Sequence, residues 1–393
     1  MNAIPNIDIQ EVTRLTRKGK LKEAMKLLRA GLAGEVHSGQ SGTSGTGSDG
    51  ASVNSGMPSG GGTTGGARGK PREETARPGS FEPMPNLWAG LSAHGLPDFG
   101  SLPGMPGRSG DAETPDGARF EALEHSSAAG ARRYKLYVPA SHDGRPAPLV
   151  VMLHGCTQSP DDFAAGTRMN ELAEELGFLV AYPEQSKRAN AQKCWNWFET
   201  RDQKRDAGEP ALIAGITRQI IADHSIDTAK IFVAGLSAGG AAAAIMGQRY
   251  PDLFAAVGVH SGLACGAARD MGSAFAAMRG GSPVTAGTRV VPTIVFHGDR
   301  DATVAPVNGD HVLKQAMAGK PAEAVTSEGV SSGGVTYTRT VHREPDGRER
   351  LESWRIHGAG HAWSGGSAKG TYTLPAGPDA SREMLRFFLS LGG

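Results

Sequence analysis

From residue 132 onward, apolar positions fall into short runs separated by stretches with helical spacing. RRYKLYVPA (132–140) predicts an early strand, PLVVMLHG (148–155) a buried central one, and FLVAYPE (178–184) another after a helix around 162–176. A long helix around 209–223 leads to KIFVAG (230–235), and a further helix runs from about 239 to 249. AAVGVHSG (255–262) and TIVFHGD (293–299) read as strand-to-loop transitions, and VTYTRTVH (335–342) and ESWRIHG (352–358) bracket a turn at Pro345–Gly347. Strands alternating with helices predict an α/β fold, a mostly parallel sheet covered on both faces. In such sheets the ligand site lies beyond the carboxyl ends of the strands. The runs ending at His154, Gly235, His260, His297 and His357 all terminate there.

Upstream the pattern changes twice. Over 7–32 it predicts one or two short helices. Leu21, Ala24, Met25 and Leu28 follow an amphipathic i, i+3, i+4, i+7 stripe, with Ile9, Val12 and Leu15 making a weaker one before a turn at Gly19. The other face carries Arg14, Arg17, Lys18, Lys20, Lys22, Lys26 and Arg29. That suits a docking element for a partner or an apolar particle surface, and equally a cap packed on the main domain. Residues 33–118 read as a linker. Within it 38–70 are almost entirely Gly, Ser and Thr, too poor in apolar surface to order themselves. The chain thus divides into a basic helical segment (1–32), a largely disordered Gly/Ser/Pro-rich linker (33–118) and one α/β domain (119–393).

Composition adds little to this. A net charge of +1 gives no global field that points to nucleic acid or an acidic membrane. Three cysteines, Cys156, Cys194 and Cys265, form neither a disulfide framework nor a CxxC metal pair, though one bridge plus a free thiol fits an oxidising compartment. The first twenty residues lack the unbroken apolar region of a secretory signal, and no apolar run approaches the ~18 residues of a membrane-spanning helix. These features lead to the expectation of a cytoplasmic protein without a transmembrane segment.

Chemistry concentrates at the strand ends. Gly235-Leu236-Ser237-Ala238-Gly239 fits G-x-S-x-G, and its setting gives the pattern weight. A β-branched and aromatic strand runs in and a small-residue helix runs out, which is the strand–turn–helix elbow that exposes a nucleophilic serine. The helix N-terminus favours a developing oxyanion. A serine needs a base, and the base an orienting carboxylate. In this class of fold the order is Ser, acid, His. Downstream the acids are Asp299 and Asp301 in HGDRDATV, and the histidines are His357 and His361 in IHGAGHAWSGG; position leaves each pair open. Two backbone N–H groups must also face the oxyanion. Ala238 follows the nucleophile, Cys156 follows an early central strand, and His154 there reads as a loop brace.

LHGCTQS (153–159), CWNWF (194–198), GLSAGG (235–240), HSG (260–262), HGDRDATV (297–304) and GAGHAWSGG (358–366) occur in that order. Together they resemble the esterases related to short-chain polyhydroxyalkanoate depolymerases, specifically poly(3-hydroxybutyrate) depolymerase catalytic domains, whose superfamily includes feruloyl and acetylxylan esterases. The resemblance covers about residues 120–393. It implies the α/β-hydrolase fold, with Ser237 as nucleophile, Asp301 as acid and His361 as base, and neither metal nor cofactor. It also implies that Cys156 and Cys194 lie close together near the oxyanion hole, as a candidate disulfide, and leaves Cys265 without a role. Trp195, Trp197 and Trp363 are candidate substrate platforms, Trp363 the best placed, and Gln158 is a further candidate contact. Secreted depolymerases of this type carry a signal peptide and a C-terminal polymer-binding domain. The N-terminal linker and basic helix suit instead an enzyme tethered at a storage granule, with an extracellular protein as the alternative. The function expected is hydrolysis of polyester or small ester substrates. A feruloyl or acetylxylan esterase and a non-catalytic granule-binding protein are the competing readings.

Overall fold

The structure is a computed structural model that describes residues 114–283 and 285–391. The predicted basic helical segment and nearly all of the predicted linker lie outside the described residues. A ten-stranded sheet organises the rest, in the order β1-β2-β4-β3-β5-β6-β7-β10-β9-β8. Its centre is parallel: β4 (Leu179–Pro183), β3 (Ala147–Leu153), β5 (Ile226–Leu236), β6 (Ala256–His260), β7 (Thr293–Gly298) and β10 (Glu349–Ile356). Antiparallel strands extend both sides, β1 (Arg119–Ser127) and β2 (Gly130–Val138) at one edge, β9 (Thr336–Arg343) and β8 (Glu323–Val330) at the other. A short pair, β11 (Trp363–Ser364) and β12 (Thr373–Leu374), stands apart.

The central strands are apolar on both faces because both are covered. In β3, Leu149, Val151 and Leu153 join one core while Val150 and Met152 join the other. The first core is closed by α3 (Gly208–Asp223) through Ile213, Ile216 and Ile220, and by α4 (Ala238–Arg249) through its alanines. It also takes in α5 (Met271–Gly280) and α6 (Val307–Ala316). The second core is closed by α1 (Pro160–Thr167), α2 (Met169–Leu176) and α7 (Ala380–Ser390), with Phe163, Met169, Leu172, Met384 and Phe388 at the contact.

The helix expected around 162–176 is two helices, because Arg168 takes a left-handed conformation (φ 58°) between them. Ser159 caps the first, its side chain accepting from the Asp162 amide, with Pro160 at the first turn. Several elements had no counterpart in the sequence reading, among them β1, β8, α5 and α6. β1 and β8 are edge strands, largely exposed and without an apolar face, while α5 and α6 are ten residues each. Among the described residues no helix is long and apolar enough to cross a membrane.

Candidate active site

β5 delivers the nucleophile candidate. Ser237 follows its last residue with φ 58° and ψ −118°, and Ala238 opens α4 directly after it. A non-glycine residue held there costs on the order of 1–3 kcal/mol, a strain typical of functional turns. The turn closes only because its neighbours lack side chains. A Cβ on Gly235 would lie 2.4 Å from the Gly239 carbonyl, and one on Gly239 would lie 2.0 Å from the Leu153 oxygen. The Ser237 amide donates to the His260 carbonyl (2.9 Å), which anchors the elbow to the end of β6.

The loop after β3 is held from below. Gln158 Oε1 accepts the Gly155 amide (2.8 Å), while its Nε2 donates to Asp162 (2.9 Å) and to the Thr371 carbonyl (3.2 Å). His154 donates from Nδ1 to the Gly155 carbonyl (2.7 Å) and accepts the Gln185 amide at Nε2 (3.0 Å). Both ring nitrogens are thereby committed to bracing, and burial pushes its pKa down to about 4. Cys156 follows, disulfide-bonded to Cys194, and the Thr157 amide donates to the Gln192 carbonyl (2.6 Å). The 190s loop rests in turn on a buried network. Arg132 donates to Gln185, Gln185 donates to Glu209 and to the Cys194 carbonyl, and Glu209 accepts the Asn196 amide (2.7 Å). Burial, reinforced by Asp202 and opposed by Arg132, raises the Glu209 pKa to about 7.

The acid and base candidates come from the loops after β7 and β10. His361 donates from Nδ1 to Asp301 Oδ2 (2.7 Å), which leaves Nε2 as the proton acceptor. Asp301 Oδ1 accepts the amides of Thr303 and Val304 (both 2.9 Å), and His297 Nε2 lies 3.4 Å from Oδ2. Burial works to raise the Asp301 pKa. The bonds from His297, His361 and Val304 outweigh it, so the carboxylate is held far below its ordinary range. His260 links this pair to the elbow. Its carbonyl takes the Ser237 amide, its Nε2 accepts the Ser364 amide (3.0 Å), and its ring stacks between Phe296 and Trp363. Burial pushes its pKa down to about 3.

Ser237, Ala238 and Cys156 line one cleft, with about 550 Å³ of empty space including its open mouth. Trp197, Phe198, Leu263, Met271, Phe275 and Met278 supply its apolar walls. Trp197 is therefore where a substrate platform was expected, and three other candidates are not. Trp363 is 1 % exposed, edge-on to Phe163, with its Nε1 donating to Ser381 (3.1 Å). Trp195 is fully buried under the loop after β3, donating to the His154 carbonyl (3.1 Å). Gln158 is buried beneath the same loop, all its bonds spent on the chain. Each supports the site from behind, because a residue beside a reacting group turns inward as readily as outward. The Met271, Ala274, Phe275 and Met278 wall was missed, yet its signal is legible. These positions form an i, i+3, i+4, i+7 stripe after Asp270, whose side chain and Ser273 make a capping box.

The sheet order, the strained serine between β5 and α4, and the acid and histidine on later strand ends define an α/β-hydrolase. Residues 132–333 match the family described as Esterase PHB depolymerase, and the chain belongs to that family. Poly(3-hydroxyalkanoate) depolymerase C of Paucimonas lemoignei is 34% identical over 231 residues, 55% of each chain. Poly(3-hydroxybutyrate) depolymerase of Ralstonia pickettii is 26% identical over 257 residues, 59% of this chain and 51% of its own. The chain thus spans about half the length of these curated relatives. Among solved structures, acetyl xylan esterase from Aspergillus awamori shares the fold, with a TM-score of 0.55 and 21% identity over 69% of this chain and 98% of its own.

Proposed function

We propose that the protein is a serine carboxylic-ester hydrolase acting on poly(3-hydroxybutyrate) or related short-chain polyhydroxyalkanoates and their oligomers. One observation carries this reading: the elbow serine opens into a cleft walled by Trp197, Phe198 and the Met271–Met278 stripe, a surface suited to an apolar acyl chain. His361 Nε2 takes the Ser237 proton as Oγ bonds to the ester carbonyl carbon. The Cys156 and Ala238 amides receive the tetrahedral oxyanion. The carbonyl carbon–alkoxy bond breaks, and His361 returns the proton to the leaving alcohol. Water, deprotonated by His361, then bonds to the acyl carbon; the carbon–Oγ bond breaks, His361 returns the proton to Ser237 Oγ, and the carboxylic acid leaves.

Ser237→Ala tests the chemistry. It should leave the fold intact and lower p-nitrophenyl butyrate turnover by about four orders of magnitude or more; near-normal turnover would refute the assignment. Amorphous poly(3-hydroxybutyrate), methyl ferulate and acetylated xylan test the substrate, since faster release from ferulate or xylan would move the protein to the carbohydrate-linked esterases. The Cys156–Cys194 disulfide supports an oxidising compartment over the cytoplasmic expectation. Mass spectrometry of protein from its native source, alkylated without reductant, checks this; two alkylated thiols there would restore the cytoplasmic reading.

A further inference from the structure

Two aspartates and two histidines compete by position for the acid and base roles, and the structure gives both pairs a partner. Asp301 meets His361, as described. Asp299, two residues earlier, meets His357, four residues before His361: Oδ2 lies 3.0 Å from His357 Nδ1, and Oδ1 accepts the Gly358 amide (2.7 Å). On its other side His357 Nε2 lies 2.8 Å from Thr338 Oγ1 on β9, and the His357 amide donates to the Thr336 carbonyl (2.9 Å). The surrounding backbone is stitched at the same level. The Asp299 amide donates to Ile356 and the Arg300 amide to Ala359 (both 3.0 Å). A Cβ on Gly298 would lie 2.3 Å from the Ala359 oxygen, so the two loops are in close contact.

We propose that Asp299 and His357 are positioning residues: a clip that fixes the loop bearing Asp301 against the loop bearing His361 and so sets the catalytic hydrogen bond. The inference rests on the serine-hydrolase reading above. β7 and β10 are parallel neighbours whose pairing ends at Gly298 and Ile356. Beyond that point the Asp299 and Arg300 amides carry two backbone bonds across to the opposite loop, and the Asp299 carboxylate adds to them by binding one backbone amide and one side chain of that loop. Thr338 extends the tie to the third strand. Arg300 adds a further charge that favours the ionised carboxylate, beyond the contacts from His357 and Gly358. The desolvation of Asp299 is outweighed by those contacts, and its pKa lies below the ordinary range.

The test uses the full chain with Asp299→Ala, Asp299→Asn and His357→Gln. It reads kcat and KM on p-nitrophenyl butyrate, the rate at which a fluorophosphonate labels Ser237, and the downfield imidazole N–H proton resonance that Asp301→Ala removes. Loss of the clip should lower kcat and the labelling rate about tenfold or more, with KM within about twofold, because a small misplacement of a catalytic group is costly. The downfield resonance should broaden or vanish. Asp299→Asn should recover most of the rate, since its carbonyl still accepts the Gly358 amide. His357→Gln gives the same readouts if Asp299→Ala does not fold. Wild-type kcat with an undisturbed resonance would overturn the proposal. So would a loss of activity that only tracks lost folded protein by circular dichroism while the resonance persists. Failure of the wild-type protein to label at Ser237 would instead sink the serine-hydrolase reading.

Discussion

The two walls of the cleft are held in opposite ways. On the proposed oxyanion side, Cys156 is bonded to Cys194, and the 190s loop stands on buried Arg132, Gln185 and Glu209 with the half-buried Asn196. The other wall is α5, a ten-residue helix in which only Ala274 and Ala277 are buried. Its ties to the segment after β7 are the Ala305 amide to the Met278 carbonyl (2.7 Å) and Asn308, in α6, to the Ala277 carbonyl (2.9 Å). One wall is fixed by covalent and buried polar bonds, the other by a few bonds and a stripe of side chains that adapt easily. The difference separates two tasks. Under the proposed function, oxyanion donors must stay within a fraction of an ångström of their position, while an acyl chain of variable length needs a wall that can adjust.

The largest break in this contrast is expected from the disulfide. Its loop spans 38 residues of sequence separation, for which chain-entropy estimates give about 3–4 kcal/mol. Cys156→Ser with Cys194→Ser should lower stability by roughly that amount and, at temperatures where the protein stays folded, reduce kcat more than KM. Urea unfolding and steady-state kinetics check it. A variant that loses stability but keeps kcat would show that the polar network alone fixes the oxyanion side.

The network itself should declare its presence through pH. His154 and His260 stay neutral when folded down to about pH 4 and 3, whereas unfolded histidine protonates near ~6.5. They therefore contribute stability that is present above that value and lost as pH falls. Glu209 has the opposite sign. Its pKa is raised to about 7, so its contribution is full below the unfolded value of ~4.5 and lost as pH rises through 7. Between about pH 5 and 6.5 the two effects oppose each other. Glu209→Gln removes one of them and should steepen the acid-side fall in stability by about one proton, ~1.4 kcal/mol per pH unit. Urea midpoints across that range give the slopes. Parallel curves for variant and wild type would mean that Glu209 is already ionised beside Arg132.

The same contrast explains what the sequence disclosed. The central strands and α3 are legible because their burial on both faces leaves unbroken apolar runs, and the elbow is legible because only Gly235 and Gly239 fit its backbone. Asp301 and His361 were separable from Asp299 and His357 only through resemblance, since both pairs occupy equivalent strand-end positions and both are hydrogen-bonded. Trp195, Trp363 and Gln158 sit in the right loops but point into the supports of the site, and side-chain direction in an irregular loop has no periodicity to betray it. The adaptable wall went unseen because α5 is short and rich in Gly, Ala and Ser, so that four positions had to speak for a whole helix.

That stripe yields the smallest predicted effect. Met271 and Met278 line the cleft beside Ala274, from a helix that packs on the core through Ala274 and Ala277. Shortening either one removes surface from the acyl wall without touching Ser237, Ala238 or Cys156. Met271→Ala and Met278→Ala should therefore leave acetate hydrolysis within about twofold while changing the butyrate-to-acetate ratio of kcat/KM by roughly threefold to tenfold. A missing contact of this size in an apolar pocket is worth about 1 kcal/mol. The direction separates two views of the wall. If the methionines grip a four-carbon acyl group, the ratio falls; if they limit its length, the ratio rises and hexanoate gains further. A ratio unchanged in both variants would mean that the acyl chain leaves Ser237 along the rigid Trp197 and Phe198 side, and that the adaptable wall serves the alcohol half of the ester.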